Sequence, residues 1–169
     1  MQKLIILRGY PGSGKTTLGK KLEKDNVGKF IDHNQILGFL SDICGNDYGI
    51  YQEIHDLELA MTNKLLKEGD TVIVARGFNK ATQIDRYVDV ARLNNVNYHL
   101  ITLTTSVNTL SERIMAPERK MSFNAMTSKE ILEEYIGANK QEPYDSEIII
   151  NSTKPADEVA TEAKSYLYS

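Results

Sequence analysis

Cysteine is nearly absent from this chain. Cys44 is the one cysteine in 169 residues, so an internal disulfide framework is excluded and a reducing compartment is the natural setting. As a small apolar side chain it needs no further role. No apolar run approaches the ~20 residues of a membrane helix, and the N-terminus enters a strand-like run at once. A cytoplasmic protein is expected, with no membrane partner. Basic charge is not in excess either: 20 Lys and Arg against 23 Asp and Glu leave a net charge of −3. That argues against a chain coating nucleic acid along its whole surface, while leaving room for a local basic groove. No Cys/His/Asp spacing suggests a zinc site, and there is no internal repeat, low-complexity stretch or linker. With 41% hydrophobic residues, the length suits a single domain, 1–169, with a proper core.

What is present starts at the N-terminus. Lys3-Leu4-Ile5-Ile6-Leu7-Arg8 is a short, mostly apolar run, and Gly9-Tyr10-Pro11-Gly12-Ser13-Gly14-Lys15-Thr16 follows it directly. The spacing is G-x-x-x-x-G-K-T, the Walker A phosphate-binding loop. Its glycines permit a tight turn whose N–H groups point inward as a nest for phosphate. The following helix start, Thr17-Leu18 onward, adds partial positive charge. Gly12, Ser13, Gly14, Lys15, Thr16 and Thr17 are the expected nucleotide-binding residues. Lys15 reaches the β- and γ-phosphates, and the Thr16 hydroxyl is placed to ligate Mg²⁺. Binding of a nucleoside triphosphate follows.

Beyond the loop, strand and helix patterns alternate. Strands are expected near 28–32, 71–75, 98–103 and 148–150, with helices near 15–24, 34–40, 50–67, 80–94, 107–113 and 127–140 and a last one after Pro155. Residues 41–49 read as a Gly/Asn/Asp-rich loop. Thr127-Ser128-Lys129-Glu130 has the T-x-x-E form of a capping box. Ile54, Leu57, Ala60, Met61 and Leu65 mark the inward face of the third helix, and Ile131, Leu132 and Ile136 that of a later one. This order calls for an α/β fold, a five-stranded parallel sheet flanked by helices on both faces. Ligands in such sheets lie at the carboxyl ends of the strands. Functional residues should therefore follow strands: Asp32 to Asn34 after the second and Arg76 to Asn79 after the third.

A GTPase would show N-K-x-D after a strand; the nearest string, Asn139-Lys140-Gln141-Glu142, ends in Glu and follows a helix. A motor or switch ATPase usually carries a strand ending in a Walker B aspartate, whereas only Phe30-Ile31-Asp32 ends here in an acid. That pattern favours the small kinases. The opening Leu7 to Leu18 resembles that of the bacteriophage polynucleotide 5′-hydroxyl kinases and their relatives. Phe30-Ile31-Asp32-His33-Asn34, Val72 to Asn79 and the stretch from Glu112-Arg113 to Arg119-Lys120 match by pattern and spacing. Shikimate, gluconate and zeta-toxin kinases share the framework.

The resemblance implies a P-loop kinase with an arginine-bearing lid, about 113–126, using ATP and Mg²⁺. Arg113 and Arg119 would stabilise charge on the transferring phosphoryl group. Asn151-Ser152-Thr153 would lie by the adenine. Asp32 is the candidate for orienting or deprotonating the acceptor hydroxyl, or for holding a Mg²⁺-bound water; an Asp after a strand is also a common helix cap. The family pattern carries two acids after the second strand, and Asn34 stands where the second is expected, so either position can be the one facing the acceptor. If Asn34 does, the chain uses Asp32 instead or works without a strong base, which a loose phosphoryl-transfer transition state tolerates. Arg76 stands where the family often has an acid, and can grip a substrate phosphate. His33, His55 and His99 read as ordinary loop or surface residues, and Tyr48 and Tyr51 as packing or base-stacking residues. The expected activity is transfer of the γ-phosphate to a hydroxyl, with a polynucleotide 5′-end as the leading acceptor. The alternatives are a small-molecule or nucleoside kinase and a catalytically weak ATP-binding regulatory module.

Overall fold

The computed structural model describes residues 1–45, 51–116 and 128–169. Five strands, β1 (Lys3–Arg8), β2 (Lys29–Ile31), β3 (Val72–Arg76), β4 (Asn97–Thr104) and β5 (Glu147–Asn151), form one sheet. Every pairing is parallel, in the order β2-β3-β1-β4-β5. Helices α1 (Lys15–Lys24), α2 (His33–Cys44), α3 (Tyr51–Lys67), α4 (Ala81–Leu93), α5 (Val107–Met115), α6 (Lys129–Ala138) and α7 (Ala156–Tyr168) fill the connections. The expected α/β architecture is the observed one.

The strand β1 is apolar on both faces because both faces are covered. Successive side chains point to opposite sides, so Leu4 and Ile6 pack with Leu66 of α3 and Ile84 and Val88 of α4. Ile5 and Leu7 pack instead with Leu18 and Leu22 of α1 and Val159, Ala163 and Leu167 of α7. Each such burial contributes about 1.5–3 kcal/mol relative to exposure. A third, smaller cluster joins Leu110 and Ile114 of α5 to Leu132 of α6, with Tyr10, Tyr135 and Ile136 against it. It ties the two helices that flank the expected lid to the phosphate-binding loop.

Three local expectations change. The second helix runs on through the stretch read as loop, to Cys44, and is capped by Gly45 at φ 78°; the glycine and asparagine cluster that signals a loop begins only there. Helix α6 takes Ser128, not Thr127, as its cap, and the Ser128 hydroxyl accepts from the Ile131 N–H at 3.3 Å. Leu132 is buried as expected, but Ile131 is 40% exposed. Helix α3 buries Ile54, His55, Glu58, Thr62 and Leu66 while Leu57, Ala60 and Met61 are exposed. Its inward face is partly polar, which a hydrophobic period does not detect. The expected lid lies outside the described residues from 117 to 126, and with it Arg119 and Lys120; Tyr48, the Tyr51 side chain and Thr127 do too. Among the described residues no helix is long and apolar enough to cross a membrane.

Candidate active site at the carboxyl edge of the sheet

The loop after β1 has a nest-like backbone. Gly12 sits at φ 82° and Gly14, the N-cap of α1, at φ 96°. Ser13 donates its N–H to the Tyr10 carbonyl at 3.0 Å, and Leu18 to that of Gly14 at 2.9 Å. A methyl group at Gly14 would meet nothing within 4 Å, so the space beside the first turn of α1 is open. That opening is what a phosphate needs. One at Gly12 would lie 2.9 Å from the Leu110 carbonyl oxygen, because α5 packs directly on the loop. Lys15 lies along its own loop, its Nζ donating to the Tyr10 carbonyl at 3.0 Å and the Ser13 hydroxyl at 3.4 Å. Thr16 is half-buried and Thr17 exposed. Among the described residues no cluster of three His, Cys, Asp or Glu side chains could cage a metal. The half-buried Thr16 hydroxyl is an oxygen donor of the kind Mg²⁺ prefers, and would hold the ion together with oxygens of the nucleotide and water.

Arg113 projects from the last turn of α5. Its Nη1 donates to the Gly12 carbonyl at 3.3 Å and its Nη2 to the Ser152 carbonyl at 2.6 Å. It joins the phosphate loop to the turn after β5, which is itself held by the Ser152 N–H on the Thr104 carbonyl at 2.8 Å. The Asn151-Ser152-Thr153 turn is thus brought beside the loop, on the β4–β5 side.

The β2–β3 side carries the other expected residues. Asp32 is the N-cap of α2, its Oδ1 accepting from the Asn34 N–H at 3.1 Å. Its Oδ2 pairs with Lys20 of α1 at 3.2 Å. Each oxygen thus has one neighbour, the cap reading included, and keeps room for a further donor. Asn34 is exposed in the first turn of α2. Arg76 ends β3 level with Arg8, but its Nη1 is spent on Glu58 at 2.7 Å.

Glu58 was missed by pattern reading. It is 2% exposed and collects three donors: Arg76, His33 through Nδ1 at 2.8 Å, and the Tyr87 hydroxyl at 3.1 Å. Burial alone would raise its pKa; the hydrogen bond from His33 and the charge of Arg76 outweigh that and hold the carboxyl below its ordinary value. Tyr87 is shifted up, first by burial and then by the Glu58 charge, so it donates as a neutral phenol. His55 sits beside this group with its Nδ1 buried and, among the described residues, without a hydrogen-bond partner. Burial, with the Arg76 charge, pushes its pKa down to about 4. A charged residue falling on the helical face of Ile54 and Thr62 was the available signal.

Arg8 is the second residue missed. It is 1% exposed and donates to the Phe78 carbonyl at 2.8 Å, the Glu142 carbonyl at 2.5 Å and the Glu147 carboxylate at 3.2 Å. The stretch 139–142 is drawn over the same edge: the Gln141 N–H donates to the Tyr10 hydroxyl at 3.2 Å and its side chain to the Gly77 carbonyl at 2.7 Å. An arginine ending an otherwise apolar strand demands such partners.

A parallel sheet in this order, with a glycine-rich anion nest between β1 and α1, defines a P-loop nucleotide-binding fold. The chain belongs to the AAA domain family, whose pattern matches residues 4–136. It is 37% identical over 81 residues to a shikimate kinase of Clostridium botulinum (strain Loch Maree / Type A3), a match spanning 43% of this chain and 45% of that protein. A crystal structure of a gluconokinase from Sinorhizobium meliloti 1021 superposes with a TM-score of 0.68 at 19% identity, covering 98% of this chain and 91% of that one. The Mycobacterium tuberculosis APS kinase CysC, in complex with AMPPNP and APS, superposes with a TM-score of 0.71 at 16% identity, covering 99% and 98%. The likeness covers the whole fold.

Proposed function

We propose that the protein is a cytoplasmic ATP- and Mg²⁺-dependent kinase transferring the γ-phosphate to a hydroxyl of a small molecule. The observation that carries this reading is the open nest at Gly14 with Lys15 and Thr16 beside it, set against a polar edge at β2 and β3. The relatives support it: they are named shikimate kinase, gluconokinase and APS kinase. Lys15 neutralises charge on the β- and γ-phosphates, and Mg²⁺, held through Thr16, adds to that neutralisation when bound. Arg113 lines the nucleotide side, and Arg119 is the remaining candidate for charge stabilisation from the lid. Asp32, engaged with Lys20 and the α2 cap, serves first as a fixed post of the acceptor side. A role for it toward a hydroxyl or a metal-bound water would use the lone pairs that Lys20 and the cap leave.

A polynucleotide end is the weaker acceptor. Arg76 and Arg113, two of the cations that would make a basic groove, are committed to Glu58 and to backbone carbonyls. Purified protein with γ-labelled ATP and Mg²⁺ is offered shikimate, gluconate, APS, nucleosides and a 5′-hydroxyl oligonucleotide. Label on a small molecule is expected, with acceptor KM nearly constant between about 50 and 200 mM salt, where a polynucleotide held by about six or more phosphate contacts would lose about a thousandfold in affinity. Label confined to the oligonucleotide would reverse the choice of acceptor. Lys15→Ala should lower transfer about 10²–10³-fold; unchanged transfer would sink the P-loop mechanism.

A further inference from the structure

With Arg113 and the Asn151-Ser152-Thr153 turn on the β4–β5 side of the phosphate loop, the carboxyl ends of β3 and β2 are left to flank the acceptor. Asp32, expected to meet the acceptor hydroxyl, divides its charge between the cap of α2 and Lys20, and Asn34 has no basic atom. The next residue is differently placed. His33, the first residue of α2, gives its Nδ1 to the buried Glu58 carboxylate at 2.8 Å. An ionised carboxylate only accepts, so Nδ1 carries a proton, and of the two neutral tautomers the contact selects the one whose basic nitrogen is Nε2. The side chain is 20% exposed, and none of the described residues hydrogen-bonds Nε2. Glu58 is in turn held by Arg76 from β3 and Tyr87 from α4, which fixes the carboxylate and hence the ring.

We infer that the His33–Glu58 pair is the acceptor-side base of this kinase: His33 Nε2 is a catalytic residue's atom that receives the hydroxyl proton, and Glu58 is the residue that positions it. This rests on the kinase reading above. As the acceptor oxygen forms its bond to the γ-phosphorus, its proton passes to Nε2. The bond from the γ-phosphorus to the β–γ bridging oxygen breaks, and ADP leaves with that electron pair. The imidazolium keeps its Nδ1–H on Glu58 until the extra proton is lost to water.

Two measurements test it on the full chain. Long-range ¹H–¹⁵N spectra of the histidine rings, with His33→Gln to assign the signal, should show the Nδ1–H tautomer in the wild type and its loss in Glu58→Gln. An Nε2–H tautomer in the wild type overturns the inference whatever the activity. With the small-molecule acceptor labelled in the preceding panel, His33→Gln should lower kcat about 10²–10⁴-fold at unchanged ATP affinity. Glu58→Gln should lower kcat less, and should add nothing further in the double variant. A kcat within twofold of wild type in a folded His33→Gln overturns the inference and leaves the kinase reading standing. A wild type that binds ATP but labels no acceptor overturns the kinase reading, and this inference with it.

Discussion

At the scale of the residue, the polar groups buried behind β3 behave according to the company they keep. Glu58 stays ionised because three donors converge on it, each a charge-assisted or phenolic hydrogen bond that replaces lost water. Its stabilising effect is present above the unfolded carboxyl pKa and is lost as pH falls through the lowered folded value. His55 has no such company. Its folded pKa of about 4 lies below the ordinary 6.5, so between those values the unfolded chain binds the proton that the folded one refuses. Stability is therefore full above about pH 6.5 and falls as pH drops toward 4. Thermal melts across that window should show the decline, and His55→Leu should flatten it; an identical slope in the variant would assign the loss to other groups.

At the scale of the element, α5 has two tasks. Its Leu110 carbonyl and Ile114 side chain press on Gly12, and Arg113 at its end clamps the loop to Ser152. It is started by the Ser106 hydroxyl, which accepts from the Thr109 N–H at 3.1 Å. Ser106→Ala should cost about 1 kcal/mol of stability, or about 2–4 °C in Tm for a chain of this size. A Tm unchanged by the substitution would mean that contacts with α6, not the cap, hold α5 in place. Gly12→Ala should do more, since the added methyl has no room and the backbone is at positive φ. It is expected to weaken ATP binding measured by calorimetry, and wild-type affinity would show that α5 yields.

At the scale of the whole molecule, Arg8 is the joint. From the end of the central strand it reaches the loop after β3, the stretch before β5 and the Glu147 carboxylate, which also accepts from the Thr102 hydroxyl at 2.6 Å. Arg8→Ala would leave the Glu147 charge with only neutral donors and free two carbonyls, at about 3–5 kcal/mol. Urea denaturation should show a lowered midpoint at unchanged slope; a loss below ~1 kcal/mol would place Arg8 among incidental ion pairs.

The sequence by itself determined the nucleotide end of the molecule: a glycine spacing dictates a local backbone shape, and Lys15 and Thr16 follow it in covalent order. It also determined the alternation of strands and helices, because a strand apolar on both faces must be covered twice. Only the tertiary structure decided the polar cluster at the β2–β3 edge. Glu58, His33, Arg76 and Tyr87 come from α3, the start of α2, β3 and α4, and no period or spacing links them. What each carboxylate meets depends on long-range packing: Lys20 and the cap meet Asp32, while folding brings His33, Arg76 and Tyr87 to a buried Glu58.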